Sequence, residues 1–144
     1  MVIDVPTLLT LDDTQLNDMF RSAVAGPLPD GAAKGTAIVA AGTRFSPAIA
    51  EAVSRFVWQG KTFDGAHGVL RNRITAFGLN AIVAEVYKGP SQFDGNECIV
   101  LDYSKTSLVA SWIRDEIRLI APKLYLGLVY AHNKPSLHFT LEFE

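Results

Sequence analysis

The pattern of apolar and polar positions from Cys98 to Tyr130 reads as a strand, a helix and a second strand. Cys98-Ile99-Val100-Leu101 is a continuous apolar run where a strand with one wet face would alternate, so it predicts a strand covered on both sides. Behind it, Leu108, Val109, Trp112, Ile113, Ile117 and Ile120 recur at steps that place them on one stripe of a helix. Ser111, Arg114, Asp115 and Arg118 then fall on the opposite, solvated face, with Glu116 nearest the stripe. Ser104 or Thr106 can cap the first turn, and Pro122 stops the helix near Ala121. Leu124 to Ala131 returns to residues that favour strands. The whole stretch predicts a helix packed on a mostly antiparallel sheet.

The rest of the chain extends this picture. Asp12 and Gln15 have capping-box spacing, and Leu16, Met19, Phe20 and Ala23 make a short amphipathic helix over about 12–24, ended by Gly26-Pro27. Gly35 to Ala41 reads as a short apolar strand, and Ser46-Pro47 as the start of a second helix near 47–58. Alternation then takes over: Lys61 to Asp64 and Val69 to Thr75 flank a turn at Gly65-Ala66-His67-Gly68, and Leu79 to Lys88 follows. Asp94-Gly95 is a further turn. In the last strand Leu137, Phe139, Leu141 and Phe143 alternate with His138, Thr140 and Glu142, which predicts one wet face. The chain thus reads as one α+β domain over 1–144, with an N-terminal helix and loop over 1–34. Residues 35–144 form a curved antiparallel sheet or lipocalin-like barrel of six or seven strands, with helices near 47–58 and 106–121.

Composition narrows the function classes. Of 144 residues 49% are hydrophobic and only 19% charged, a surplus that must be buried in a core, a ligand cavity or a subunit interface. A net charge of −2 gives no electrostatic footprint for nucleic acid or an anionic membrane surface. No run of about 18 apolar residues is long enough to cross a bilayer as a helix. Met1-Val2-Ile3-Asp4 lacks the basic start of a secretion signal, which leads to a cytoplasmic expectation. Cys98 is the sole cysteine, so neither an internal disulfide nor a thiolate metal cluster is expected.

Trp58-Gln59-Gly60-Lys61-Thr62-Phe63, the turn at Asp94-Gly95, Asp102-Tyr103, and Tyr125-Leu126-Gly127 with Val129-Tyr130 together resemble small bacterial and fungal proteins of lipocalin-like form. The nearest pattern is that of the GXWXG-motif family. Trp58 and Gly60 agree with the motif, and Phe56 stands at the position of its first glycine. The resemblance spans roughly residues 56–130. It implies a curved or closed antiparallel barrel and a small apolar ligand, and no catalytic residues.

Strand parity sorts the polar residues that could carry chemistry. With Leu70 and Ile74 inward, Asn72 is inward too, and Arg71 and Arg73 project outward, where Glu85 could pair with them. Asp102 shares a side with Cys98 and Val100, and Tyr103 with Ile99 and Leu101, so one of the two faces the cavity. The plainer role for Asp102 is to cap the following helix or to pair with Lys105, Arg71 or Arg73. The sharper one is a general base, with Asn72 or Tyr103 polarising a carbonyl. His67, His132 and His138 lack metal-ligand spacing, and Cys98 in its apolar run is an inert thiol. Trp58, Tyr87, Tyr125 and Tyr130 join Asn72, Asp102 and Tyr103 as candidate ligand contacts, because a buried tyrosine hydroxyl needs a polar partner.

Three functions follow as expectations. One is a barrel that binds a small apolar or amphipathic molecule. Another is a metal-free and cofactor-free isomerase, cyclase or hydrolase with Asp102 as base. The last is a structural or interaction protein whose apolar surplus forms a homodimer.

Overall fold

The computed structural model describes residues 3–38, 58–74, 79–106 and 111–144; within its strands, the side chains of 58–61, 71–74 and 79–83 lie outside what is described. Two helices lead in: α1 (Val5–Leu8), capped by Asp4, and α2 (Asp13–Ser22), whose Asp12 and Gln15 form the reciprocal capping box. Eight antiparallel strands follow in chain order: β1 (Gly31–Ile38), β2 (Trp58–Asp64), β3 (Val69–Ile74), β4 (Leu79–Pro90), β5 (Glu97–Asp102), β6 (Ile113–Ala121), β7 (Leu124–Ala131) and β8 (Lys134–Phe143). They close into a barrel. The seam is β1 against β8, paired from Ala33 opposite Phe143 to Ile38 opposite His138.

Among the described residues the strand count, the start of β1 and the helix over 106–121 differ from expectation. There are eight strands in place of six or seven, and β1 begins at Gly31, before the apolar run at Gly35. The helix expected near 47–58 falls outside the described residues except for Trp58, which opens β2. The helix expected over 106–121 is replaced by strand β6 over Ile113–Ala121. Ile113 and Ile117 stand four apart, a spacing that the helical and the strand period both satisfy. What decides is pairing with β5 and β7, which supplies backbone hydrogen bonds from outside the segment.

Along β6, Ile113, Asp115, Ile117 and Leu119 face into the barrel, and Arg114, Glu116 and Arg118 face out. The single inward carboxylate breaks the visible alternation and makes the segment resemble a helix with a wet face. The outward face of β8 also departs from expectation. His138 and Thr140 are buried, because α2 lies over them; Asn17 Oδ1 is 2.8 Å from His138 Nε2.

The inner wall is apolar, with Phe63, Leu70, Ile99, Leu101, Ile117, Phe139 and Leu141 fully or nearly fully buried. One end is plugged by the segment between α2 and β1. Ala25 joins the inner cluster, Tyr125 Oη donates to the Pro27 carbonyl at 2.8 Å, and Leu119 N donates to the Val24 carbonyl at 2.9 Å. Gly26 is required there: its φ is +75°, and a Cβ would sit 2.7 Å from that of Leu119. Phe63, Tyr125 and Phe143 pack together just inside the plug, Tyr125 edge to face with Phe143 at 5.6 Å between centroids and Phe63 tilted against it at 5.5 Å. Midway along the wall, Gly127 lies opposite Phe139, whose ring edge occupies the place a side chain at Gly127 would take, 2.2 Å from such a Cβ. The ring therefore lies along the wall instead of across the barrel axis.

Outside, Val5, Leu8, Leu16 and Phe20 from the helices cover Ile38, Leu124, Leu126, Leu128 and Tyr130. Arg118, expected as a solvated residue, is 1% exposed and pins this cover to the barrel. Its guanidinium donates to both carboxylate oxygens of Asp94 at 2.7 Å and to the carbonyls of Phe20, Asn96 and Glu97. All five of its N–H groups are thereby used. It also lies 4.6 Å above the Phe20 ring. One side chain thus joins β6, α2 and the β4–β5 connection.

Arg118→Ala removes one partner of a buried ion pair and is expected to cost about 3–5 kcal/mol, read as a fall in the urea midpoint. The Arg118 hydrogen bonds hold the Asp94 carboxyl down at about 2 from the ordinary 3.8. Because the folded value is depressed, this contribution is fully present above pH 3.8 and is lost as pH falls through about 2. Across that window the native protein should lose stability more steeply than Asp94→Asn in parallel acid titrations; equal slopes would refute the assignment.

Candidate functional site

Closure of the barrel decides which of the sequence candidates share a space. Asp102 faces outward with Cys98 and Val100, so it is not a cavity base. Its Oδ1 accepts from Ser104 N at 2.9 Å and Ser104 Oγ at 2.6 Å, and its Oδ2 from Tyr87 Oη at 2.8 Å. Partial burial pushes the Asp102 carboxyl up, but the bonds from Ser104 and Tyr87 outweigh it and hold the group below its ordinary value. This is a turn-stabilising carboxylate at the end of β5.

Tyr87 lies beside it on the outer face, 37% exposed, and Tyr130 lies outside under the helices. Neither can touch a ligand inside the barrel. Trp58 and Asn72 sit on β2 and β3, Trp58 opposite Ile74 and Asn72 between Lys61 and Ile82.

Tyr103 and Tyr125 do face inward, at opposite ends. Tyr125 belongs to the plugged end, where its hydroxyl is committed to Pro27. Tyr103 follows directly on β5 at the other end, and it brings with it a residue that the sequence reading had put on a wet helix face: Asp115. This carboxylate is 4% exposed and sits on the inner wall between Leu101 and Val129 in register. Tyr103 Oη lies 3.3 Å from Asp115 Oδ2. The hydroxyl donates to the carboxylate across this distance, a long O–H···O bond, and joins the end of β5 to β6 inside the barrel. Asp115 was legible only through strand parity on β6, which the shared spacing of Ile113 and Ile117 concealed.

Other polar clusters lie outside. Glu116, fully buried, accepts from Ser91 Oγ at 2.6 Å, Gln92 N at 2.8 Å and Arg114 Nε at 3.1 Å, tying the β4–β5 connection to the outer face of β6. Cys98 is buried beneath that layer, and burial pushes its thiol up to about 12, which removes thiolate chemistry at neutral pH. Among the described residues no group of three or more His, Cys, Asp or Glu side chains is placed to hold a metal ion. No described helix is long and apolar enough to cross a membrane. A depression of about 490 Å³ at the plugged end, lined by residues 30–34 and 142–144, is polar, open to solvent and on the far side of the aromatic layer from Asp115.

A crystal structure of a protein from Thermomonospora curvata is similar to this chain, with a TM-score of 0.64 and 17% identity over 94% of this chain and 89% of that one. At that identity the likeness shows the fold. No family model matches the chain, and no curated protein matches it.

Asp102→Ala should cost about 1 kcal/mol, the loss of a local turn and one exposed hydrogen bond. It should leave binding of an apolar probe unchanged; a loss of binding with the fold intact would return Asp102 to the site.

Proposed function

We propose that the barrel binds one small apolar or amphipathic molecule in the half that holds Tyr103 and Asp115, in the manner of lipocalin-like carriers. The observation that carries this reading is the placement of Asp115 on a wall that is otherwise apolar among the described residues. A carboxylate on such a wall is costly unless it is hydrogen-bonded, and the Tyr103 hydroxyl beside it makes a polar end of the barrel at this height. Two further features support it. The aromatic layer at Phe63, Tyr125 and Phe143 occupies the plugged end, which leaves the end with Tyr103 and Asp115 as the one we assign to a ligand. The absence of a side chain at Gly127 gives the Phe139 ring a place against the neighbouring strand. A barrel of eight strands has an interior wide enough for one such ligand.

A second reading keeps the site and adds metal-free isomerisation, cyclisation or hydrolysis, with Asp115 as base where the sequence had offered Asp102. The observation in its favour is that Tyr103 stands beside the same carboxylate and could polarise a bound carbonyl.

The test is titration with an uncharged fluorescent dye, N-phenylnaphthylamine. The native protein should enhance its emission with saturation at one dye per chain. Val129→Trp, which fills the space opposite Asp115 in register, should weaken binding by roughly tenfold or more while far-ultraviolet circular dichroism is retained. Absence of saturable binding, or binding indifferent to Val129→Trp, would end this reading.

A further inference from the structure

We infer that the helical cover is a strap that opens in mild acid: it stays pinned to the barrel at Phe20 and loosens at its other end when His138 takes up a proton.

α2 runs along the outside of the barrel with unlike fastenings at its two ends. Near its C-terminus the Phe20 carbonyl accepts from Arg118, the Phe20 ring meets Phe93 edge-on at 5.9 Å between centroids, and the Arg21 guanidinium lies 4.8 Å from the centre of that Phe93 ring. None of these groups titrates near neutral pH. Near its N-terminus the helix reaches β8 instead. Asn17 Oδ1 lies 2.8 Å from His138 Nε2 and Asp13 Oδ1 3.5 Å from Nδ1, and the ring is 5% exposed. On the same outward face Thr140 is fully buried, and its hydroxyl finds no hydrogen-bond partner among the described residues. An unmet buried hydroxyl weakens the contact that buries it. The end of the strap that holds the titratable ring is thus also the less well satisfied one.

The surroundings of His138 favour the neutral ring. Across from it in register, β1 and β7 present Ile38 and Leu128, and Ser136 and Thr140 are its neighbours on the outward face of β8. Among the described residues the charged group that faces it is Asp13, half-exposed and beyond a good hydrogen bond. Burial therefore outweighs the attraction of Asp13 and holds the ring below its ordinary 6.5. Once the strap lifts, water solvates the imidazolium. Because the docked value is the depressed one, docking is fully favoured above pH 6.5 and weakens as pH falls below it, until the docked ring is itself protonated. Acid then bares the apolar stripe at Ile38 and Leu128 without opening the barrel.

The experiment is hydrogen–deuterium exchange of the full chain at about pH 7.5 and about pH 5.5, either side of the ordinary histidine value, corrected for intrinsic amide rates. The α2 amides from Leu16 to Met19 should lose at least ~3-fold in protection at the lower pH, while those of Leu126 and Leu128 in β7 stay within about 1.5-fold. In His138→Gln, which keeps a polar group for Asn17 and cannot titrate, the α2 difference should fall to within about 1.5-fold. Thr140→Val should raise α2 protection at both pH values and leave their ratio as it is. The proton-detected titration of the native His138 ring, with a midpoint expected below 6.5, decides the matter if His138→Gln does not fold.

Equal α2 protection at the two pH values would overturn the inference, as would a loss in β7 as large as that in α2. So would a pH difference that survives in folded His138→Gln, lower α2 protection in Thr140→Val, or a His138 midpoint at or above 6.5.

Discussion

The structure depends on the pairing of β1 with β8. An open sheet of this length would leave two rows of unpaired backbone groups; the seam from Ala33–Phe143 to Ile38–His138 satisfies them and gives each described strand a neighbour on either side. Closure then imposes a strict division. Each strand position belongs to the lumen or to the outer surface, and a shift by one residue would exchange the two sets. Asp115 and Tyr103 share a space, and Asp102 is excluded from it, for this reason alone.

A closed barrel solves its edges but not its exterior, which here is apolar over much of β7. The chain covers it with α1 and α2, held by Arg118 and by the contact of Asn17 with His138. On the adjacent wall Glu116 gathers the β4–β5 connection by the same device, a buried charge used as a clasp for backbone groups. Both clasps sit on β6. That strand therefore carries an inward carboxylate at Asp115, inner packing at Ile117 and outer fastening at Glu116 and Arg118.

This density of roles explains where sequence reasoning succeeded and where it did not. The capping box at Asp12 and Gln15, the doubly covered strand at Cys98–Leu101 and the strand at Leu124–Ala131 were legible because local chemistry decides them. β6 was not, because its charges serve long-range partners and so blur the period of two. The three isoleucines at 113, 117 and 120, β-branched and better suited to a strand, were the signal available against a helix. Parity on β5 correctly left Asp102 and Tyr103 as alternatives. The choice between them required the barrel's inside, which no local pattern defines.

The opposition of Gly127 and Phe139 sets the calibre of the lumen. A glycine on one strand receives the ring of the next, so a bulky aromatic consumes wall instead of bore. Any side chain at Gly127 would push the Phe139 ring off this strand and into the barrel, so the two positions can change only together.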